Sequence, residues 1–474
     1  MRLLDTTTLE LVEYALPPPY AILSHCWGAD EVNHKDYACV RKDLQYDDAQ
    51  RAARPWLEER VARSRGIQAR SGYAKILRFC GIAKRDGHAY AWIDTCYKRS
   101  SAELSESINA MWVWYEKAAI CYVLLSDVPL SRSDDREWWS VFSDSRWFTR
   151  GWTLGELLAP KRLSFLAQDW SSIGECNKGR RPVWMVLNPE DGVLDLTRHL
   201  SQITGISQTD LCSFRRSQSH RYSIAARMSW AAGRQTTKPE DAAYSLLGLF
   251  NVNMPLLYGE GKSAFIRLQR EILQHSDDQS ILAWKTPCTA PSKRDPGQLG
   301  RRCDSTGALA VDPSFFRDCG NITALPAMSR RVQAQVGTES LALTNRGLEL
   351  TVAAAPYLAD ARKTCYFLRF NCRQRFIAHD SSAIASRSFY RPSTMLVECL
   401  PADGSYTGPM LVYRRLLSCA TGGELDDYPK RVDRLTNHGL VGYGLPMPLV
   451  WEVRSFIIPM RVSDHALAPL PAPQ

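Results

Sequence analysis

The first 170 residues of the chain predict an α/β fold: a parallel sheet with helices on both faces. Apolar runs of five or six residues alternate there with stretches whose apolar residues recur at helical spacing. A strand–helix–strand order favours parallel strands, because each connection is long enough to carry a helix. Beyond residue 285 the pattern changes to short β-type runs punctuated by Gly, Pro and Asp, which predicts a separate β-rich domain.

Four strands and three helices are predicted in this first part. The strands are 20–24, 90–94, 120–125 and 162–167. The helices are 72–85, a helix opened by the capping box of Ser100 and Glu103, and 147–158, which Pro160 ends. The segment 41–70 carries eight Lys or Arg against five Asp or Glu and predicts a solvated helical insertion, with a phosphate-binding surface as the alternative.

The remaining chain divides into three further predicted parts. Residues 171–285 are expected to form a helical extension, with helices over 222–232, from the second capping box of Thr237 and Glu240 through Leu249, and over 262–274. Residues 286–465 are expected to form the β-rich domain, as an antiparallel sandwich or a barrel-like sheet. The Pro- and Ala-rich tail, 466–474, is expected to be disordered.

Composition excludes several classes of function. The formal net charge of +9 is modest for 474 residues, and basic residues are mixed with acidic ones, so nucleic acid is not an expected partner. No run of 18 apolar residues predicts a membrane span, and Asp5, Glu10 and Glu13 interrupt the region of a secretory signal. Fourteen scattered cysteines without a CxxC pair favour reduced thiols in a cytoplasmic protein and no metal site.

Polar residues follow three of the predicted strands where each strand ends. The pairs are Ser24-His25, Asp94-Thr95 and Ser126-Asp127. Because parallel strands end at one edge of a sheet, and ligands bind there in open α/β folds, this edge is the predicted site. The alternative for each residue is that it caps the following helix or turn.

The stretch 145–161 carries the sharpest chemical signal. It holds two tryptophans, two arginines and a lone carboxylate, Glu156, which lies four residues after Trp152 and would share a helix face with it. A carboxylate can stabilise an oxocarbenium-like transition state, including that of the ribose–nicotinamide bond. Tryptophan can stack on a base, and Arg150 can hold a pyrophosphate. A structural pair of Arg150 with Glu156 under a Trp-rich core is the alternative.

Other motifs are weaker. The Gly261-Lys262-Ser263 triplet lacks the earlier glycine of a phosphate loop, so it is expected to open a helix. His25 has no second histidine at ligand spacing, which favours a structural role. Cys26 and Cys96 follow strand ends, but no paired base is identifiable for either thiol.

Several motifs together resemble the HET (heterokaryon incompatibility) domain of filamentous fungi. They are Tyr20-Ala-Ile-Leu-Ser-His-Cys-Trp-Gly28, Trp92-Ile-Asp-Thr-Cys96, Ser101-Ala-Glu-Leu-Ser-Glu106 and Arg150-Gly-Trp-Thr-Leu-Gly-Glu156. Later segments that resemble parts of such proteins are Asp241-Ala-Ala-Tyr-Ser-Leu-Leu-Gly248, Asn253-Met-Pro-Leu-Leu-Tyr-Gly-Glu260 and Thr344-Asn-Arg-Gly-Leu348. The resemblance covers most of the chain, and it places the HET domain at 1–170.

The resemblance implies a vegetative incompatibility protein, an effector of cell death in fungal allorecognition. It also implies a distant similarity to TIR domains, which have a flavodoxin-like fold and some of which cleave NAD with a helical glutamate. By that analogy Glu156 is the catalytic residue of a NAD glycohydrolase, with NAD as substrate rather than as a resident cofactor. The expected dinucleotide-binding residues are Ser24, Trp27, Asp94, Arg150 and Trp152.

Three hypotheses follow from this resemblance. The first is an enzyme that consumes NAD; whether the chain is an enzyme is left open. The second is a non-enzymatic signalling module that self-associates or recruits another incompatibility protein. The third is an inactive member of the family, because the segment after Cys96 is shorter than the family pattern.

Overall fold

The computed structural model describes most of the chain, in two compact units. The described residues are 1–43, 57–96, 101–130, 136–178, 194–284, 308–324, 340–345, 347–356, 365–378, 387–399, 410–416 and 452–458. Unit 1 consists of Met1–Ser219 and Arg234–Gly259, and unit 2 of His220–Gly233 and Glu260–Gln474. Ser100 of the first capping box, the segment after Cys96 and the tail 466–474 lie outside the described residues.

Unit 1 contains a seven-stranded sheet in the order β2-β1-β4-β3-β5-β6-β7. The strands are β1 (Arg2–Asp5), β2 (Leu11–Glu13), β3 (Ala21–His25), β4 (Tyr90–Trp92), β5 (Ile120–Leu124), β6 (Arg162–Leu166) and β7 (Ser172–Asn177). The four central strands, β4, β3, β5 and β6, are parallel, and the other pairings are antiparallel. All four predicted strands are therefore confirmed, as neighbours in one sheet.

The order of the parallel strands fixes where a ligand site can form. Taken in chain order, the four lie as second, first, third and fourth across the sheet, so the direction of winding reverses between β3 and β5. At such a switch point the two connections leave towards opposite faces and open a crevice beyond the carboxyl ends of the strands. Ser24 and His25 end β3 at this point.

Helices flank the sheet in unit 1. They are α1 (His34–Asp43), α2 (Leu57–Gln68), α3 (Ser71–Arg85), α4 (Ser101–Lys117), α5 (Arg136–Ser143), α6 (Arg146–Thr149), α7 (Thr153–Leu158), α8 (Thr197–Thr204), α9 (Gln208–Ser213), α11 (Asp241–Tyr244) and α12 (Leu247–Phe250). Helix α10 (Ile224–Ser229) belongs to unit 2. The predicted insertion, 41–70, contains the end of α1 and all of α2.

Alternation along β3 assigns its residues to the two faces of the sheet. Ala21 and Leu23 belong to the core cluster that includes Ile76 and Phe79 of α3. Because successive side chains of a strand point to opposite faces, Ile22 and Ser24 face the other side. Both faces of β3 are completely buried, which accounts for its continuous apolar run.

The predicted helix over 147–158 is wrong in one respect: it is two short helices, α6 and α7. Arg150 has an extended backbone and pairs with Gln235 in a parallel bridge. The amide of Gly151 donates to the Gln235 carbonyl at 2.8 Å, and the Gln235 amide donates to the Thr149 carbonyl at 2.6 Å. A side chain at Gly151 would meet the Thr236 methyl at 2.5 Å, so glycine lets the two segments approach.

Two further expectations for the predicted helical segment, 171–285, differ from the structure. Ser172–Asn177 forms strand β7, antiparallel to β6. The capping box of Thr237 and Glu240 does not form; instead the Glu240 carboxylate accepts a hydrogen bond from the Gly259 amide at 2.8 Å. The helix expected through Leu249 is also divided, into α11 and α12.

Unit 2 contains helices α10 (Ile224–Ser229) and α13 (Ser263–His275) and a second seven-stranded sheet. Its strands are β8 (Ile322–Ala324), β9 (Ser340–Thr344), β10 (Gly347–Pro356), β11 (Cys365–Ala378), β12 (Arg387–Cys399), β13 (Met410–Leu416) and β14 (Glu452–Ile458). An additional β10–β11 pairing closes five of them into a ring. The pairs are antiparallel except β13 with β14, as the β-type runs predict for most of the sheet.

Candidate functional site

A cavity of about 380 Å³ lies in unit 1, beside the carboxyl ends of β3 and β4. That size lies within the usual range for small-molecule sites. Its walls come from the strand ends, from helices α4 and α7, and from the segment 237–258. The lining side chains are mainly aromatic or charged: His25, Trp27, Trp92, Asp94, Trp114, Arg150, Trp152, Glu156, Lys238, Asp241 and Tyr258, together with Leu104, Ser107, Ile108, Met111, Thr153 and Thr237.

Glu156 is the most perturbed acid of this cavity. It is 8% exposed, and its carboxylate accepts a hydrogen bond from the Ser24 hydroxyl. Ser24 in turn accepts from the indole N–H of Trp147 at 2.7 Å. Burial raises the pKa of Glu156 to about 8; the negative charge of Asp94 adds to the rise, and the Ser24 hydrogen bond opposes it. Near pH 7 the apo protein therefore holds this carboxyl group mainly in its neutral form.

The placement of Glu156 follows from the pattern of α7. Leu154, Leu157 and Leu158 are completely buried, as their spacing predicts, and this fixes the helix against the sheet. At the other end of α7 the buried ammonium group of Lys178 donates to the carbonyls of Leu157 and Leu158, at 2.5 and 2.7 Å. A cation at a helix C-terminus pairs with carbonyls that have no partner within the helix.

Trp27 and Asp94 form a second polar pair in the cavity. The Trp27 indole N–H donates to Oδ2 of Asp94 at 2.6 Å. Oδ1 of Asp94 is buried and has no hydrogen-bond partner in the part of the chain that the structure describes; Nε2 of His25 stands 3.8 Å away. This oxygen is therefore an acceptor that lacks a donor.

His25 has a structural setting, as the sequence favours. Its Nε2 lies 3.2 Å from Oε1 of Glu31, to which the ammonium group of Lys75 also binds. Despite its burial, the pKa of Glu31 falls to about 2, because His25 and Lys75 favour the ionised carboxylate. The three residues form a charged cluster behind the wall that His25 shares with the cavity.

Arg150 and Trp152 also line the cavity, at the break between α6 and α7. The predicted structural pair of Arg150 with Glu156 is not among the ion pairs within 4.0 Å of the described residues, although the Arg150 charge lowers the pKa of Glu156. The Trp152 indole N–H donates to Oδ2 of Asp241 at 3.2 Å. The break is held by Arg234, whose guanidinium donates to the Arg150 carbonyl and the Thr153 hydroxyl, both at 2.9 Å.

The structure brings Trp27, Asp94, Arg150, Trp152 and Glu156 together around one cavity. Ser24, the other predicted binding residue, is completely buried and does not line this cavity, but its hydroxyl binds the Glu156 carboxylate. Asp127, at the end of β5, does not join them. Its carboxylate accepts from the Ser145 hydroxyl at 2.7 Å and from the Arg146 amide at 2.9 Å, so it caps the start of α6. This is the capping alternative that the sequence left open for each strand end.

Sequence reasoning missed the wall contributed by residues 237–258. Lys238, Asp241 and Tyr258 line the cavity although they follow Glu156 by more than 80 positions. The Tyr258 hydroxyl donates to Oδ1 of Asp241 at 3.0 Å, and the Lys238 ammonium stands 4.1 Å from the centre of the Tyr258 ring. A signal was present, because Asp241 and Tyr258 lie in the two later segments singled out for their resemblance.

The weaker sequence candidates do not form a second functional site in the described residues. Burial raises the pKa of the Cys26 thiol to about 11, which keeps it protonated and a poor nucleophile. The side chain of Cys96 lies outside the described residues. The Gly261-Lys262-Ser263 triplet opens α13, as predicted. Within the described residues, no group of three His, Cys, Asp or Glu side chains could hold a metal ion, and no helix is long and apolar enough to cross a membrane.

The fold and cavity define the class: an α/β protein with a buried carboxylate in an aromatic pocket beside the carboxyl ends of β3 and β4. The chain is similar to the vegetative incompatibility protein HET-E-1 of Podospora anserina, with 39% identity over 266 residues. The match covers 55% of this chain and 16% of that protein, so the chain spans only a small part of its relative. Residues 263–356 match a domain of unknown function, DUF8212. No solved structure matches the chain.

Proposed function

We propose that the chain is a fungal incompatibility protein of the HET type whose unit 1 cleaves the nicotinamide–ribose bond of NAD. The observation that carries the proposal is the buried carboxyl group of Glu156, bound to Ser24 at the wall of an aromatic cavity. The similarity to HET-E-1 supports the incompatibility role. The strand order, second-first-third-fourth, is that of flavodoxin-like sheets, which supports the proposed likeness to TIR domains.

The chemistry needs a carboxylate next to the anomeric carbon of the ribose. Cleavage of the C1′–N bond releases neutral nicotinamide and leaves an oxocarbenium-like cation, which ionised Glu156 stabilises. Water then adds to C1′ and releases a proton, so the products are nicotinamide, ADP-ribose and H⁺. The negative charge forms at Glu156 when the substrate binds, on a side chain that is only 8% exposed.

The raised pKa of Glu156 fits a cationic substrate. With no ligand bound, burial keeps the carboxyl group neutral near pH 7. The pyridinium ring of NAD carries a positive charge, and its approach favours the ionised carboxylate. Substrate binding would thus release the proton from Glu156, and the ion pair formed in the cavity would replace the lost hydration.

The other cavity residues bind and orient the substrate in this proposal. Trp27 and Trp152 offer indole rings on which a base can stack, and each ring is held by a carboxylate at its N–H. Arg150 is the cation for the pyrophosphate, because its guanidinium makes no ion pair or side-chain hydrogen bond within the described residues.

The direct test incubates the purified full chain with NAD and follows nicotinamide release. Glu156→Gln keeps the shape of the side chain and an acceptor for Ser24 but removes the charge, so we expect nicotinamide release to fall by at least a hundredfold. Asp144→Asn, on an exposed carboxyl group away from the cavity, is the matched control and should keep full activity. Unchanged release by the Glu156 variant would refute the catalytic role.

A second candidate function is a non-enzymatic signalling module. The observation that favours it is the burial of Glu156 and its hydrogen bond to Ser24, through which the carboxyl group joins α7 to β3 as a core element. Such a module would bind a ligand or a second copy of itself without cleavage. It predicts that Glu156→Gln still kills a fungal cell on overexpression, whereas the enzyme hypothesis predicts survival.

The wider proposals concern organisation and partners. We keep residues 1–170 as the HET domain, 171–285 as the helical extension and 286–465 as a β-rich domain. The proposed role places the protein in the cytoplasm, with self-association or another incompatibility protein as its partner. Light scattering of the purified chain, with and without NAD, tests the self-association.

A further inference from the structure

We propose that the cavity binds a dinucleotide through two separate nucleoside subsites, each made of one tryptophan and one aspartate. The proximal subsite is Trp27 with Asp94, and the distal subsite is Trp152 with Asp241. This inference rests on the proposed function, because it names how the substrate of that site is recognised. It adds Asp241 as the residue that determines specificity for the second ribose.

Both subsites have the same construction. In each, an indole N–H donates to one carboxylate oxygen, at 2.6 Å for Trp27 with Asp94 and at 3.2 Å for Trp152 with Asp241. The bond fixes the plane of the indole and places a carboxylate at the edge of the ring. A nucleoside presents the matching chemistry, since its base can stack on the ring and its ribose hydroxyls can donate to the carboxylate.

Each carboxylate keeps capacity to accept a ribose hydroxyl. Among the described residues, the Asp94 carboxylate accepts a hydrogen bond only from Trp27, at Oδ2, which leaves further acceptor positions on this side chain. Asp241 accepts one bond at each oxygen, from Trp152 and from Tyr258, and a carboxylate has about four acceptor positions. No ion pair within 4.0 Å neutralises Asp241 in the described chain, and its partial burial raises its pKa.

Position along β3 assigns the two subsites to the two halves of the dinucleotide. Ser24 binds Glu156, and Nε2 of the next residue, His25, stands 3.8 Å from Oδ1 of Asp94, so the side of the reacting bond is assigned to the Trp27 subsite. It would take the nicotinamide riboside. The Trp152 subsite would then take the second nucleoside, and the Arg150 and Lys238 side chains that also line the cavity would meet the pyrophosphate between them.

This arrangement predicts a choice between substrates. A 2′-phosphate on the distal ribose would replace a hydroxyl donor by an anion next to the Asp241 carboxylate, which costs a hydrogen bond and adds repulsion. The site therefore favours NAD over its 2′-phosphorylated form, NADP. Asp241→Asn keeps one oxygen, for the Trp152 indole, and its amide N–H can donate to the Tyr258 hydroxyl, but it removes the charge, so it should relax the preference for NAD.

The experiment uses calorimetry to measure the binding of two half-ligands, nicotinamide mononucleotide and AMP. The protein is the full chain with Glu156→Gln, so that no substrate is consumed. Adding Asp94→Asn should lower the affinity for nicotinamide mononucleotide by about tenfold and change the affinity for AMP by less than about twofold. Adding Asp241→Asn should lower the affinity for AMP by about tenfold and leave the affinity for nicotinamide mononucleotide within about twofold. It should also reduce the ratio of NAD affinity to NADP affinity by about tenfold. Adding Asp144→Asn should leave the affinities for both ligands unchanged.

The outcomes separate this inference from the proposed function. Binding with the expected opposite effects, but no nicotinamide release by the wild-type chain, would retain the two subsites and reject the enzyme. A different result would be that the wild-type chain releases nicotinamide but the Asp94 and Asp241 variants change the two half-ligand affinities equally, or not at all. That result would reject the two subsites and retain the enzyme. Failure of the Glu156→Gln chain to bind either half-ligand would also reject the subsites.

Discussion

Replacing Glu156 by glutamine should make the folded protein more stable in alkaline solution. The folded state raises the pKa of this carboxyl group from 4.5 to about 8, so it binds a proton that the unfolded chain has already lost. The stability that the neutral carboxyl group provides is fully present below pH 4.5 and is lost as the pH rises through 8. Each pKa unit corresponds to about 1.4 kcal/mol, so the total loss is roughly 5 kcal/mol.

Glutamine is neutral at every pH and keeps an oxygen that can accept from Ser24. We therefore expect wild type and Glu156→Gln to have similar free energies of unfolding at pH 5. At pH 9 the variant should be more stable, by up to about 5 kcal/mol. The difference should grow by at most about 1.4 kcal/mol for each pH unit in between.

Urea unfolding followed by indole fluorescence measures the effect, since the tryptophans around the cavity belong to unit 1. Comparing the two proteins at each pH cancels the titration of all other groups. Asp144→Asn removes an exposed carboxyl group and should follow wild type throughout. Parallel stability curves for wild type and Glu156→Gln between pH 5 and 9 would refute a raised pKa at Glu156.

Three further predictions follow from the same structure. Nicotinamide release, expressed as kcat/KM, should rise with pH up to about 8 as free Glu156 ionises, and a flat profile from pH 6 to 9 would contradict this. Burial lowers the pKa of Lys178 to about 8, so between pH 8 and 10.5 the folded wild type binds fewer protons than the unfolded chain and its free energy of unfolding rises with pH. Lys178→Met should remove this rise, which urea unfolding at pH 8 and 10 measures. Gly248→Ala would place a methyl group 2.4 Å from Cβ of Trp112 and should cost about 1–3 kcal/mol in urea unfolding, whereas Gly81→Ala, with open space around it, should not destabilise the protein.

Local patterns were sufficient to predict the central sheet. The four parallel strands are continuous apolar runs, and the helices between them show apolar residues at helical spacing, so each element follows from its own residues. The position of Ser24 and Asp94 at one edge also followed, because strands of one direction end together. The burial of Leu154, Leu157 and Leu158 was predictable from their spacing alone.

Contacts between distant parts of the chain account for the differences between the predicted helices and the observed ones. The helix expected over 147–158 is broken because Gln235, 85 residues after Arg150, takes the backbone bonds of residues 149 and 151. The capping box of Thr237 and Glu240 fails because Gly259 supplies a competing donor to Glu240. No local pattern encodes such partners, since their identity depends on which segments the fold brings together.

The stretch around Glu156 shows the same division. The sequence by itself determined that a lone carboxylate would lie on a helix whose leucines face the core, beside a sheet with polar strand ends. Only the tertiary structure decided that this carboxylate meets the Ser24 hydroxyl rather than the Arg150 guanidinium, and that Asp241 and Tyr258 close the cavity opposite it. The physical reason is burial: the pKa of an acid depends on how much water and which charges surround it, and these are fixed only when the whole unit has folded.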